Sequence, residues 1–187
     1  MERTFRIGTL TVRPNVVVAP MAGYTDLPYR LIVKELGGAG AAYTELISCH
    51  ALVHVNPNML PLIATTPADH PLGMQLFGAD PQLMAAGASA LEDYGADLID
   101  LNMGCPVSKV VKAGGGAVLM RDPALAAEIV QACVAAVAIP VTVKIRAGWD
   151  DQSRNAVAFA QRMVAAGAAA ITVHARTRAQ GYAGRAD

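Results

Sequence analysis

No apolar run in these 187 residues approaches the roughly 20 needed to cross a bilayer, so no membrane association is expected. The first ten residues carry Glu2, Arg3 and Arg6 without an apolar core, so no secretory signal is expected and the cytoplasm is the expected compartment. Cysteine is scarce. Cys49, Cys105 and Cys133 are an odd number with no CxxC pair, which argues against a disulfide framework and leaves at most one of them for chemistry. Aromatic residues are only 5% and charged residues only 16%, yet 53% are hydrophobic, so the chain has a globular and not a disordered composition. Abundant Ala and Gly suit helices lying close on a sheet. Neither a GxGxxG after the first strand nor a P-loop is present, which counts against the two commonest open-sheet nucleotide folds. Nothing suggests a Ser-His-Asp triad.

Net charge is zero, which on its face argues against nucleic acid, but the charges are unevenly spread. Residues 1–104 hold 5 Lys and Arg against 10 Asp and Glu, and residues 105–187 hold 10 against 5. One domain with this distribution has an acidic sector and a basic sector, the latter compatible with a phosphate-rich ligand.

What the chain does have is a regular alternation. Strand-like runs fall at 15–21, 41–46, 71–77, 97–102, 141–146 and 170–175. Helical patterns lie between them, at 27–36, 48–55, 81–94, 123–137 and 153–166. Asp80-Pro81 and Asp122-Pro123 each place an N-cap acid before a Pro at the first helical position, and Gly37, Gly95 and Gly167 stand where helices should stop. Repeated strand–helix units with strands this apolar imply a parallel sheet covered by helices.

Successive strand side chains point to opposite faces. Val141, Val143 and Ile145 oppose Thr142, Lys144 and Arg146, and Ile99 and Leu101 oppose Asp100 and Asn102. Likewise Leu72, Met74 and Leu76 oppose Gly73 and Gln75, and Ile171 and Val173 oppose Thr172, His174 and Arg176. Each strand has one apolar face for the helices and one face with polar groups toward its C-terminal end, as barrel enzymes are organised. Six strands do not close an eight-stranded barrel. The expected fold is therefore α/β, a (β/α)8 TIM barrel truncated after about six βα units.

Five stretches carry a resemblance: Ala19-Pro20-Met21-Ala22-Gly23-Tyr24-Thr25-Asp26 followed by Arg30; Gln75-Leu76-Phe77-Gly78; Asp100-Leu101-Asn102-Met103-Gly104-Cys105-Pro106 running on to Lys112-Ala113-Gly114-Gly115-Gly116-Ala117; Val143-Lys144-Ile145-Arg146; and Val173-His174-Ala175-Arg176-Thr177-Arg178. In this order and spacing the sequence resembles the tRNA-dihydrouridine synthase family, in particular its bacterial B-type members. Asn-Met-Gly-Cys-Pro is the most specific element. The resemblance implies that residues 1–187 are an FMN-binding catalytic barrel lacking its last strands and a C-terminal helical tRNA-binding domain. It implies reduction of a uridine C5–C6 double bond in tRNA, with NADPH as reductant and a monomer expected.

On that resemblance Pro20, Met21 and Ala22 pack against the flavin, and Gln75 offers its carboxamide donor and acceptor to the pyrimidine edge. Lys144 places a cation by the flavin N1/O2 edge, where negative charge develops on reduction, and His174 lies against the cofactor. Cys105 is the expected general acid, since a thiol of pKa about 8.5 is largely protonated at neutral pH. Asn102 is expected at the uracil edge. Lys109, Lys112, Arg176 and Arg178, with Arg185, are candidates for RNA phosphates.

Each residue also has a plainer reading. Lys144 could form a structural ion pair with Asp100, Gln75 could bond to backbone, and the rim charges could be solvated surface. Cys133, in an Ala-rich helix, is expected to be inert. Cys49, His50 and His54 lack a third strong ligand at useful spacing, so no metal is expected. Two other functions stay open: a flavin barrel related to dihydroorotate dehydrogenase that acts on a free pyrimidine, and an RNA-binding barrel without catalysis.

Overall fold

The computed structural model describes residues 3–54 and 56–187. An antiparallel hairpin of β1 (Phe5–Ile7) and β2 (Leu10–Val12) leads into six parallel strands that lie in chain order. These are β3 (Val17–Val18), β4 (Ala41–Ser48), β5 (Leu72–Phe77), β6 (Leu98–Met103), β7 (Val141–Arg146) and β8 (Ala170–His174). The connections contain α1 (Leu27–Glu35), α2 (Cys49–Val53), α3 (Leu60–Ile63), α4 (Pro81–Asp93), α5 (Ser108–Lys112), α6 (Pro123–Ala136) and α7 (Ala156–Ala165). Short 3-10 turns cover Pro57–Met59, Pro67–Asp69 and Gly116–Arg121.

The helix ends follow their sequence signals. The Asp80 carboxylate accepts from the backbone N–H groups of Gln82 and Leu83, and Asp122 accepts from that of Leu125. Gly37, Gly95 and Gly167 have positive φ just past the ends of α1, α4 and α7. Only Val17 and Val18 of the expected first strand pair with β4, and the expected helix at 153–166 begins three residues later, after a turn closed by Asp150 and Ser153. The helix expected at 48–55 runs Cys49–Val53, capped by the Ser48 side chain; residue 55 lies outside the described residues. The hairpin, α3 and α5 were not foreseen.

Strand parity sorts the interior from the shell. Leu72, Met74, Leu76, Ile99, Leu101, Met103, Val143 and Ile145 are fully buried under α4, α6 and α7, among Met84, Leu91, Ile129, Val130, Phe159 and Met163. Val173 departs from this pattern at 48% exposure, because β8 has a neighbouring strand on one side only. On the other face, Tyr43 fills the layer so closely that a Cβ at Gly73 would lie 2.4 Å from its ring.

Ile7 and Val12 of the hairpin share a cluster with Ala41, Tyr43 and Leu98, with Ala170 packed against it. In a flat sheet β4 and β8, four places apart, would stand about 19 Å from each other. One small hairpin reaches the starts of β4, β6 and β8 because the sheet curls into a half-barrel, and it covers the N-terminal end of that curl. The polar strand ends are left facing the opposite, C-terminal end.

Candidate active site

A cavity of about 360 Å3 opens at that C-terminal end. Register aligns the groups on its floor. Gln75, Asp100 and Thr142 are neighbours across β5, β6 and β7, Asn102 pairs with Lys144, and Arg146 pairs with His174. Every residue expected at the flavin, Pro20, Met21, Ala22, Gln75, Lys144 and His174, lines this one cavity, together with Cys105 and Asn102.

The wall after β3 is held from behind. Thr25, fully buried, exchanges hydrogen bonds with the backbone N–H and carbonyl of Met21, and Asp26 caps α1. Arg30 is 0% exposed, donates to the Thr25 and Ala64 carbonyls, and forks onto Asp69, itself 0% exposed, at 2.7–3.1 Å. The Glu45 carboxylate accepts the Gly23 N–H, fixing the turn beyond Ala22.

The floor is one chain of hydrogen bonds. Thr142 Oγ1 donates to Asp100 Oδ1 at 2.6 Å, and Gln75 Nε2 donates to Asp100 Oδ2 at 2.6 Å. Asn102 Nδ2 donates to Gln75 Oε1 at 2.8 Å, and Asn102 Oδ1 accepts the backbone N–H groups of Cys105 at 2.9 Å and Gly104 at 3.2 Å. Asp100 is thus held by neutral donors and forms no ion pair with Lys144 within 4.0 Å. Burial raises the Asp100 pKa above the ordinary carboxylate value, against the pull of Thr142, Gln75 and Lys144.

Cys105 sits on the loop between β6 and α5, half-buried. Its carbonyl accepts the Ala117 N–H, and Gly116, at φ +64°, leaves no room for a Cβ, which would lie 2.6 Å from the Cys105 oxygen. Arg146, 3% exposed, ties the loop down by donating from Nε to the Gly104 carbonyl at 2.8 Å and from Nη1 to those of Thr177 and Gly181. Burial lowers the Lys144 pKa below the usual lysine range; Asp100 opposes this, Arg146 adds to it, and Cys105 opposes it. Burial likewise lowers the His174 pKa, with Arg146, Lys144 and Arg176 contributing, which favours the neutral ring. Cys49 and Cys133 are buried elsewhere, and burial pushes the Cys133 thiol up to about 12.

The charged rim residues do not share one environment. Lys109 and Lys112 are exposed on α5. Arg176 donates to the Gly184 carbonyl and stands 3.5 Å from His174 Nε2. Arg178 lies over the Trp149 ring at 4.6 Å, and Arg121 over the same ring at 5.1 Å. His50 and His54 stack at 4.2 Å, and no group of three or more metal-ligating side chains occurs among the described residues. Sequence reasoning assigned no role to Arg146, Tyr24, Leu46 or Tyr182, all of which line the cavity. The parity that singled out Lys144 could have found Arg146. Tyr24 stands in the 19–26 stretch that carries the resemblance, and Leu46 and Tyr182 carry no sequence signal that separates them from surface or core.

Comparison with known proteins adds a family to this geometry. The family model described as dihydrouridine synthase matches residues 17–187. The chain is 45% identical over 184 residues to a probable tRNA-dihydrouridine synthase 1 of Synechocystis sp., covering 98% of this chain and 52% of that one. It is 44% identical to tRNA-dihydrouridine synthase B of Pseudomonas putida, covering 97% and 54%. The chain therefore spans about half the length of the curated relatives it matches. Among solved structures, histamine dehydrogenase from Rhizobium sp. 4-9 superposes with a TM-score of 0.55 at 17% identity, covering 77% of this chain and 33% of that chain. The carboxyl transferase domain of Rhizobium etli pyruvate carboxylase with pyruvate also gives 0.55, at 20% identity, covering 84% and 26%. Both likenesses are of fold, a TIM-barrel arrangement.

Proposed function

The chain belongs to the dihydrouridine synthase family, and from that premise we propose that it forms the catalytic part of an FMN-dependent tRNA-dihydrouridine synthase. The single observation that carries this reading is the placement of Cys105 and Lys144 on one cavity, with the Pro20–Ala22 wall beside them.

The residues present fit the flavin ring of FMN. Met21 and Leu46 give an apolar wall for a planar ring. Gln75 uses one N–H and its carbonyl inside the floor and keeps its second N–H for a ring edge. Lys144, with no ion-pair partner among the described residues, supplies a cation for charge at N1/O2. The neutral His174 ring can hydrogen-bond the cofactor without adding charge.

When bound, FMN supplies the hydride for uracil C6, replenished by NADPH. The Cys105 thiol gives its proton to C5, and Lys144 and Arg146 line the same cavity as the thiolate left behind, which solvent reprotonates. Asn102, anchored by the Cys105 and Gly104 N–H groups, holds the loop and directs its remaining N–H at the uracil edge. The target uridine must leave its stack to enter a cavity of this kind. Exposed Lys109 and Lys112 would meet RNA phosphates, and Arg176 and Arg178 would join them at the rim. The protein works in the cytoplasm as a monomer.

The test uses the full-length protein. Its released cofactor is identified, and nucleosides from tRNA treated with NADPH are measured by mass spectrometry. FMN release with dihydrouridine formation is expected. A protein that cannot be reconstituted with FMN ends this reading. Reduction of free uracil or orotate in place of tRNA shifts it to a free-pyrimidine enzyme.

A further inference from the structure

We propose that Asp100 is a positioning residue for Cys105: its carboxylate selects the one orientation of two buried carboxamides that turns an acceptor toward the Cys105 backbone N–H. The inference deepens the reading of Cys105 as proton donor and rests on it.

The argument is one of polarity. Both ends of the chain are fixed. Asp100 takes donors from Thr142 and Gln75 on its two oxygens and so accepts at this end, and the Gly104 and Cys105 backbone N–H groups only donate. Between them stand Gln75 and Asn102, each with a donor on one side and an acceptor on the other. Two carboxamides with two orientations each give four arrangements, and only the observed one matches a donor to an acceptor at all three joints, at 2.6, 2.8 and 2.9 Å. Reversing either amide sets donor against donor or acceptor against acceptor. Gln75 is 0% and Asp100 1% exposed, so solvent does not repair a mismatch. Thr142 holds the second carboxylate oxygen at 2.6 Å and so fixes the carboxylate plane.

This information reaches the thiol through its own backbone. Cys105 is gripped by the Asn102 acceptor on its N–H and by the Ala117 N–H on its carbonyl, while Arg146 holds the preceding carbonyl of Gly104. Only the first grip depends on an amide that can turn over. Asp100 is the group that prevents it from turning.

The test is made in the full-length, cofactor-loaded protein. Asp100→Leu keeps the approximate shape and removes the acceptor from Gln75. Asp100→Asn can still offer Oδ1 to Gln75, with Thr142 accepting its Nδ2 and turning its own hydrogen to the Ile99 carbonyl, 3.4 Å away. Asp100→Leu is expected to speed hydrogen exchange of the Gly104 and Cys105 amides on the order of tenfold, with α6 amides unchanged, and Asp100→Asn to stay within about twofold of the parent. In uridine reduction, kcat is expected to fall for the Leu variant with KM for tRNA unchanged, and to recover in the Asn variant. Unchanged exchange at Gly104 and Cys105 in a folded Leu variant overturns the proposal. Should the Leu variant not fold, Asp100→Asn combined with Thr142→Val replaces it. That pair must exchange faster at Cys105 than either single variant, and equality overturns the proposal. A parent protein that binds FMN yet forms no dihydrouridine defeats the functional reading alone, because the exchange result does not depend on turnover.

Discussion

Arg146 Nε donates to the Gly104 carbonyl at 2.8 Å, so the last residue of β7 holds the residue immediately before Cys105. The same guanidinium holds the Thr177 and Gly181 carbonyls through Nη1, joining the cysteine loop to the segment after β8. Replacement by Lys supplies one point of donation where a planar fork served three carbonyls. Arg146→Lys is expected to cost about 3 kcal/mol in urea unfolding and to lower kcat more than it weakens FMN binding. An unfolding midpoint equal to that of the parent refutes the bracing role.

Cys105→Ala is expected to leave NADPH-driven flavin reduction intact in the full-length protein and to reduce dihydrouridine formation by at least about a hundredfold. Stopped-flow absorbance follows the first step and nucleoside mass spectrometry the second. Retained tRNA activity removes Cys105 from the mechanism.

The Arg30–Asp69 pair has no exposed atoms on either side chain, so the two partners stand or fall together. Removing one leaves an uncompensated buried charge. Arg30→Met alone or Asp69→Leu alone is expected to destabilise by about 3–5 kcal/mol, and the double variant by clearly less than the sum. Denaturant titration of all four proteins gives the coupling directly, and simple additivity contradicts it.

Lys144 provides a pH test. Its folded-state pKa lies below that of the unfolded chain, so the unfolded state holds the proton more tightly. The resulting penalty is absent above the unfolded value of 10.5, sets in as pH falls through it, and is complete below the lowered folded value. Lys144→Met is therefore expected to raise Tm of the cofactor-free protein at neutral pH, an advantage that shrinks as pH rises toward 10.5, while abolishing turnover. A variant no more stable than the parent at pH 7 goes against it.

Much of the fold was legible because period-2 alternation and helix punctuation are local signals. Thr142, Lys144 and Arg146 announced an interior face, and the Asp-Pro starts of α4 and α6 and the Gly stops of α1, α4 and α7 needed no tertiary information. The hairpin was not legible, since β1 and β2 each bury a single residue, Ile7 and Val12, and one buried residue has no period. The turn through Gly116–Arg121 was hidden for a similar reason: the glycines before it carry no pattern. At the site, residue identity located Cys105, Lys144 and His174 by resemblance, but not their partners. Asp100 was paired with Lys144 in the plainer sequence reading, and the structure gives it Gln75 and Thr142 instead, because neutral donors lie directly across the register. Long cationic side chains are the least legible of all. Nothing in the spacing of Arg178 says that it lies along Trp149.

The hairpin also bears on how the chain is made. Ile7 and Val12 bury against residues as late as Ala170, and Gly8 abuts Pro140 and Ala169. A two-stranded hairpin alone is marginal in water. The hairpin thus leaves a ribosome well before its last partner, waiting on the order of ten to thirty seconds at roughly 5–20 residues per second until β8 follows it out. During that interval Ile7 and Val12 are exposed apolar side chains on a nascent chain. Their capture marks the moment when the N-terminal end of the curl is sealed.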